Sequence, residues 1–136
     1  MELEREIVRA RRGGYPLVVA FVDVDGLKAI NDSLGHAAGD GMLRHVANSF
    51  RAHMRTHDLI IRYGGDEFVC VLSGLDVTEA AKRLALVRAA LAQSSDEGST
   101  TVGLAQLQPT DSLDDLLGKA DRALYRERQK QRRTRR

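Results

Sequence analysis

The feature that most constrains this chain is Leu17 to Val22, an apolar run with no polar break, followed at once by Asp23-Val24-Asp25-Gly26. A half-buried strand needs only every second residue apolar, so this β-rich run predicts a strand buried on both faces, ending where the acids begin. A carboxylate at the end of such a strand is costly unless something neutralises it. Two acids with one residue between them suggest a hard cation such as magnesium. Alternation along the strand is taken to turn the pair to opposite faces, leaving one as the direct ligand. A capping or turn aspartate at Asp25-Gly26 is the other reading.

The remaining elements follow from periodicity and turn chemistry. Residues 2–12 read as a helix ending at Gly13-Gly14. Leu43, Val46, Phe50 and Met54 recur at helical spacing and give a second helix one apolar face. Leu59 to Tyr63 and Glu67 to Leu72 flank Gly64-Gly65 and read as a β-hairpin. Asp76 with Glu79, and Ser112 with Asp115, are capping pairs for two later helices, the second with Leu113, Leu116, Leu117, Ala120 and Leu124 on one face. Residues 94–99 read as a polar loop and Thr100 to Leu107 as a strand between those helices. Interleaved helices and strands predict an α/β (α+β) domain with a mixed, mostly antiparallel central sheet flanked by helices.

The hairpin tip is the second chemical feature. Glycines at Gly64-Gly65 let a polyphosphate lie against the backbone, and Asp66-Glu67 directly after them could hold the metal that neutralises it. A plain turn is the alternative, since Gly-Gly pairs are common. Taken together, a strand ending in acids and a hairpin tip carrying acids meet if their strands pair. Carboxylates from neighbouring strands gripping two metals are how palm-type nucleotidyl transferases activate a hydroxyl and stabilise pyrophosphate.

Length and charge bound the rest. A chain of 136 residues, 43% apolar and 29% charged, is expected to form one globular domain. Nothing approaches a membrane-spanning stretch, Met1 to Glu6 is too charged for a secretory signal, and one cysteine excludes an internal disulfide. Cytoplasm is the expected compartment. The basic tail 126–136 has seven Lys/Arg against one Glu, +6 of a chain total of +2, so the body is −4. With no second basic patch, the tail reads as a solvated helix end rather than a nucleic-acid site. Cys70, within Val69 to Leu72, reads as a core thiol, and Tyr63 as packing beside the hairpin.

Asp23 to Asp32, then Gly35-His36 and Gly39-Asp40, then Arg62-Tyr63-Gly64-Gly65-Asp66-Glu67-Phe68, and finally Ala120 to Tyr125 resemble, in order, the core motifs of the GGDEF family. The resemblance runs from about residue 16 to 128. It implies a palm-type, ferredoxin-like nucleotide-cyclase fold and a diguanylate cyclase, which condenses two GTP into cyclic di-GMP across a homodimer. It implies two magnesium ions per site, or manganese, held by Asp23, Asp66 and the Val24 carbonyl. Asp66 would help deprotonate the ribose 3′-hydroxyl, with Glu67 completing the acidic site and Lys28 contacting phosphate. Gly64 and Gly65 would pass under the triphosphate. Asn31 and Asp40 would read the guanine edge, and Leu27 and His36 lie among nucleotide-contacting positions. For His36, a capping or packing histidine is the alternative. Arg55-Thr56-His57-Asp58 resembles the family's inhibitory Arg-x-x-Asp, with arginine and aspartate gripping the product; an exposed helix-end ion pair is the alternative.

Two departures stand out. The family usually begins with Asp-x-Leu-Thr-Gly-Leu-x-Asn-Arg, and this chain, read as a single domain over 1–136, starts just after where that segment should end. After Tyr125 the family usually has Ala-Lys and then Gly-Arg-Asn. Here Arg128 and Arg132 fall where the phosphate-binding Lys and Arg would be, without the glycine. An upstream sensory domain is the expected partner. A catalytically silent module that binds GTP or cyclic di-GMP is the alternative function, and intact acids at the hairpin argue against it.

Overall fold

Every residue of β1 (Leu17–Val24) is buried, as the apolar run requires, and this strand organises the molecule. The computed structural model describes residues 2–94 and 99–134. Antiparallel partners flank β1 on both sides: β3 (Glu67–Ser73) and β4 (Thr100–Gln106). The short β2 (Leu59–Arg62) pairs with the outer edge of β3, which gives the order β2-β3-β1-β4. Among the described residues all three pairings are antiparallel, without the parallel component a mixed sheet would have. β1 also runs two residues past Val22 and takes Asp23 into the sheet.

Alternation along β1 feeds two cores. Val18, Ala20, Val22 and Val24 face α2 (Leu27–Leu34), α3 (His36–His53) and α4 (Val77–Ser94), where Leu43, Val46, Phe50 and Leu84 complete the cluster. Leu17, Val19 and Phe21 face α1 (Glu2–Gly13) and α5 (Leu113–Thr134), against Leu3, Ile7, Leu116, Ala120 and Leu124. The helix expected from Leu43, Val46, Phe50 and Met54 is α3, with α2 a separate helix before it across Gly35, and Met54 lies just past the end of α3. No helix among the described residues is long and apolar enough to cross a membrane.

Both capping pairs form as expected. Glu79 N donates to Asp76 Oδ1 (2.8 Å) while Asp76 N donates to Glu79 Oε1 (3.1 Å), and Ser112 and Asp115 repeat the exchange at 3.0 Å each way. Most of the polar loop expected at 94–99 lies outside the described residues. The stretch after Tyr125, which departs from the usual motif residues, is helical: α5 continues to Thr134.

One close approach sets where α5 lies. A Cβ on Gly103 of β4 would sit 2.2 Å from Leu124 N and 2.5 Å from the Ala120 carbonyl oxygen. Only a glycine lets helix backbone rest directly on strand backbone there, and Arg128 is one turn beyond Leu124.

Candidate active site

Asp23 belongs to the series Leu17, Val19, Phe21 and therefore faces α5. In register it stands opposite Glu67 on β3 and Thr101 on β4. The side chain is nearly enclosed, the residue being 9% exposed. Its Oδ2 accepts a hydrogen bond from Arg128 Nη2, whereas Oδ1 is buried with no partner. Burial pushes the carboxyl above its ordinary range; the bond and charge of Arg128 oppose this, and Asp66 and Asp25 add to it. Glu67 is raised too, first by burial and then by Asp66 and Asp23, with Arg128 again opposing. Asp66 is exposed in the turn before β3, and its carbonyl lies 3.5 Å from Val24 N.

These acids interact electrostatically without forming a ready-made chelate. Among the described residues no three His, Cys, Asp or Glu are close enough to hold a metal between them. The observation that fits a cation is the unpartnered Asp23 Oδ1, with Asp66 and Glu67 crowding the same end of the sheet and Arg128 the cation that opposes them.

Asp25 takes a different part from the one its spacing suggested. Residues two apart share a strand face, so alternation does not separate it from Asp23. The strand ends at Val24 instead, and the Asp25 carboxylate accepts from Thr101 Oγ1 (2.7 Å) and Ser99 Oγ (2.8 Å). It is a turn aspartate that ties the end of β1 to β4. Thr101 Oγ1 also lies 3.2 Å from Gln131 Oε1, so α5 touches this end twice, through Arg128 and Gln131.

The nucleotide-facing residues expected from sequence cluster at the same end of the fold. Gly64 has φ 81°, which a non-glycine residue rarely adopts, and Tyr63 N donates to the Glu67 carbonyl (3.0 Å) to close the tip. At Gly65 φ is not positive and a Cβ would meet nothing within 4 Å, so no contact inside the chain requires that glycine. Arg62 Nη2 donates to Asp40 Oδ1 and to the Gly65 carbonyl, both at 3.3 Å. Lys28 is exposed in the first turn of α2, His36 is exposed at the start of α3, and Asn31 is half-buried between the two helices. Leu27 is a correction: the residue is 3% exposed and packed in the core, so it offers a ligand almost no surface. Arg132 is exposed one turn beyond Arg128. Tyr63 packs its ring on Phe21 (centroids 5.2 Å apart), and burial pushes the Cys70 thiol up, as a core thiol requires.

Arg55 and Asp58 lie elsewhere, at the far end of β3. Arg55 Nη2 donates to Asp58 Oδ1 (2.6 Å) and to the Ser73 carbonyl (2.7 Å), while Nε and the backbone N both donate to Asp58 Oδ2 (3.0 Å). The Asp58 side chain has no exposed surface, and that of Arg55 keeps 23%. The pair is therefore not an exposed helix-end bridge: the Asp58 carboxylate is sealed against the arginine, and only Arg55 keeps exposed surface. Arg55 borders a groove of about 650 Å³ that Arg9, Tyr15 and His57 also line.

Sequence reasoning missed Thr101, Gln131 and Gly103, and it named Arg62 only as part of the hairpin motif, without its bond to Asp40. Each of the three has no local signature, because it matters through a partner from a distant segment.

A family model described as "Diguanylate cyclase, GGDEF domain" matches residues 1–134. The diguanylate cyclase DosC of Escherichia coli strain K12 is 35% identical over 130 residues, 90% of this chain and 28% of that protein. Among solved structures, the diguanylate cyclase SiaD of Pseudomonas aeruginosa, in complex with its activator SiaC, superposes with a TM-score of 0.88 at 28% identity, covering 95% of this chain and 52% of that one. The GGDEF domain of DgcB from Caulobacter crescentus, in complex with c-di-GMP, gives 0.84 at 28% identity, covering 94% and 81%. This chain spans about a quarter of the length of DosC.

Proposed function

Because the chain belongs to the GGDEF domain family, we propose that it is the catalytic half-site of a diguanylate cyclase, joining two GTP into cyclic di-GMP with release of two pyrophosphates. The observation that carries this reading is the buried Asp23 carboxylate with one oxygen unpartnered, in register with Glu67 and beside Asp66. A soluble domain gains no stability from such crowding, whereas a site that gathers divalent cations and a triphosphate needs it. Magnesium, two ions per site or manganese in its place, would be held by Asp23, the Val24 carbonyl and Asp66 and supplies the charge that polarises phosphoryl oxygens.

The chain's own groups do the rest. Lys28, Arg128 and Arg132 balance the triphosphate, and the backbone at Gly64-Gly65 lies against it, Gly65 having no other reason to lack a side chain. Asn31 and Asp40 read the guanine edge, with donors and acceptors matched to it, and His36 borders the base. Asp66 takes the proton as the ribose 3′-oxygen attacks the α-phosphorus of the GTP on a second, facing domain, and Glu67 holds the acidic field beside it. Pyrophosphate leaves, and the reciprocal attack closes the ring. One domain has one half of this geometry, so a homodimer is required, brought together by an upstream sensory domain in the cytoplasm.

Product restrains the enzyme at Arg55, with Asp58 holding the guanidinium at the mouth of its groove. Cyclic di-GMP titrated into Arg55→Ala is expected to bind at least about tenfold more weakly than to the unaltered chain; equal binding removes this part of the reading.

The alternative, a silent binding module, is favoured by two observations: Arg128 already pairs with Asp23, and among the described residues no three acids are close enough to hold a metal between them. A forced dimer incubated with GTP and magnesium decides between them. Mass spectrometry is expected to find cyclic di-GMP, absent with Asp66→Ala. GTP binding without product would leave the silent module.

A further inference from the structure

We propose that Gly39 is a specificity-determining position, the seat on which the Asn31 amide is held for base reading. The inference deepens the proposed function, since it rests on Asn31 and Asp40 reading a purine edge. Gly39 is buried inside α3, and its φ is not positive, so its backbone conformation gives no reason for glycine. A glycine inside a helix is disfavoured relative to alanine, so something else must favour it here.

The reason is the opposite helix. A Cβ on Gly39 would lie 1.6 Å from Asn31 Oδ1 and 2.7 Å from its Cγ. The Asn31 amide, oxygen foremost, therefore fills the space that a side chain on Gly39 would need, where α2 turns into α3. The corner itself is fixed by backbone bonds, Gly35 N to the Asn31 carbonyl (2.9 Å) and Gly39 N to the Gly35 carbonyl (3.3 Å). Asp40 follows directly, its carboxylate held by Arg62 at 3.3 Å. One short stretch of α3 thus seats the amide and supplies the carboxylate that would face the same base.

A methyl group at Gly39 meets the far end of a flexible side chain. The fold accommodates it by turning Asn31 aside, and what is lost is the amide's position. Gly41 supplies an internal control. It lies in the same helix, is exposed, and a Cβ there would meet nothing within 4 Å.

Calorimetric binding of GTP and ATP, with magnesium, to Gly39→Ala, Gly41→Ala, Asn31→Ala and the Gly39→Ala/Asn31→Ala pair tests this. Gly39→Ala is expected to raise the GTP Kd about tenfold and narrow the preference for GTP over ATP, with Gly41→Ala unchanged. The double variant should match Asn31→Ala alone, because the glycine acts only through that amide. If Asn31→Ala weakens GTP binding but Gly39→Ala does not, the seat is wrong and base reading stands. If Asn31→Ala binds GTP as the unaltered chain does, base reading falls and takes the seat with it. Should Gly39→Ala fail to fold, recovery of a cooperative melt in the double variant supports the clash, and continued failure overturns it.

Discussion

The two ends of β3 each hold a buried aspartate against an arginine, and they resolve the charge in opposite ways. At the Arg55 end, both Asp58 oxygens are bonded, three donors coming from one residue, and the side chain has no exposed surface. At the Glu67 end, Asp23 shares one oxygen with a 40% exposed Arg128, leaves the other unpartnered, and has two more acids for neighbours. A closed fork is a structural device, because the carboxylate is fully satisfied within the chain. An open one leaves a carboxylate oxygen unsatisfied among other acids, the kind of environment that marks candidate functional sites. Resemblance to a family attaches function to both motifs, yet at the first the carboxylate is sealed within the chain and only the arginine keeps exposed surface.

The comparison can be broken by substituting each acid. Asp23→Asn should lower cyclic di-GMP formation by a forced dimer by about 10³-fold or more, the order lost when a group acting in the transition state is removed. Its melting temperature should not fall. A fully active Asp23→Asn would erase the contrast. Asp58→Ala should instead destabilise by about 3 kcal/mol, since it strands a mostly buried guanidinium, and urea unfolding measures this. An unchanged midpoint would mean that the fork is not structural.

Acidity sharpens the same contrast. Asp23 is raised in the folded protein, so folding takes up protons there and stability falls as pH rises through its folded value. Asp23→Asn should therefore be more stable than the unaltered chain near neutral pH without metal, by about 1 kcal/mol. The gain should vanish below the ordinary carboxylate pKa of about 4. A gain that persists in acid would mean burial, not charge, is responsible. Asp111 supplies the reverse sign: its bond to Lys119 (2.7 Å) holds its carboxyl below the usual range. Stability from that group is present above the ordinary value and lost as pH falls through the lowered one. Asp111→Asn should cost about 1 kcal/mol at neutral pH and little in strong acid, followed by urea midpoints across that range.

Much of the fold was legible because it is written in short-range pattern. The run at Leu17, the hairpin around Gly64-Gly65 and the Asp76 and Ser112 caps each depend on residues a few positions apart, and each formed where expected. The acid-bearing segments were legible too, though their geometry was not. Spacing offered Asp25 as Asp23's companion, but register made it Glu67, 44 positions away, and sent Asp25 to Ser99 and Thr101. The Arg-x-x-Asp pattern could not reveal that Asp58 is sealed, because burial depends on what packs over it.

By itself, then, the sequence determined the elements, the family likeness and the end of the sheet that gathers acids. Tertiary structure decided which oxygen is left open, which arginine lies against it and which glycines are needed for room. Gly39 and Gly103 look alike in sequence and differ only in what a methyl group would strike, Asn31's amide in one case and helix backbone in the other. That distinction has no local code, since steric room is set by segments that meet only when the chain has folded.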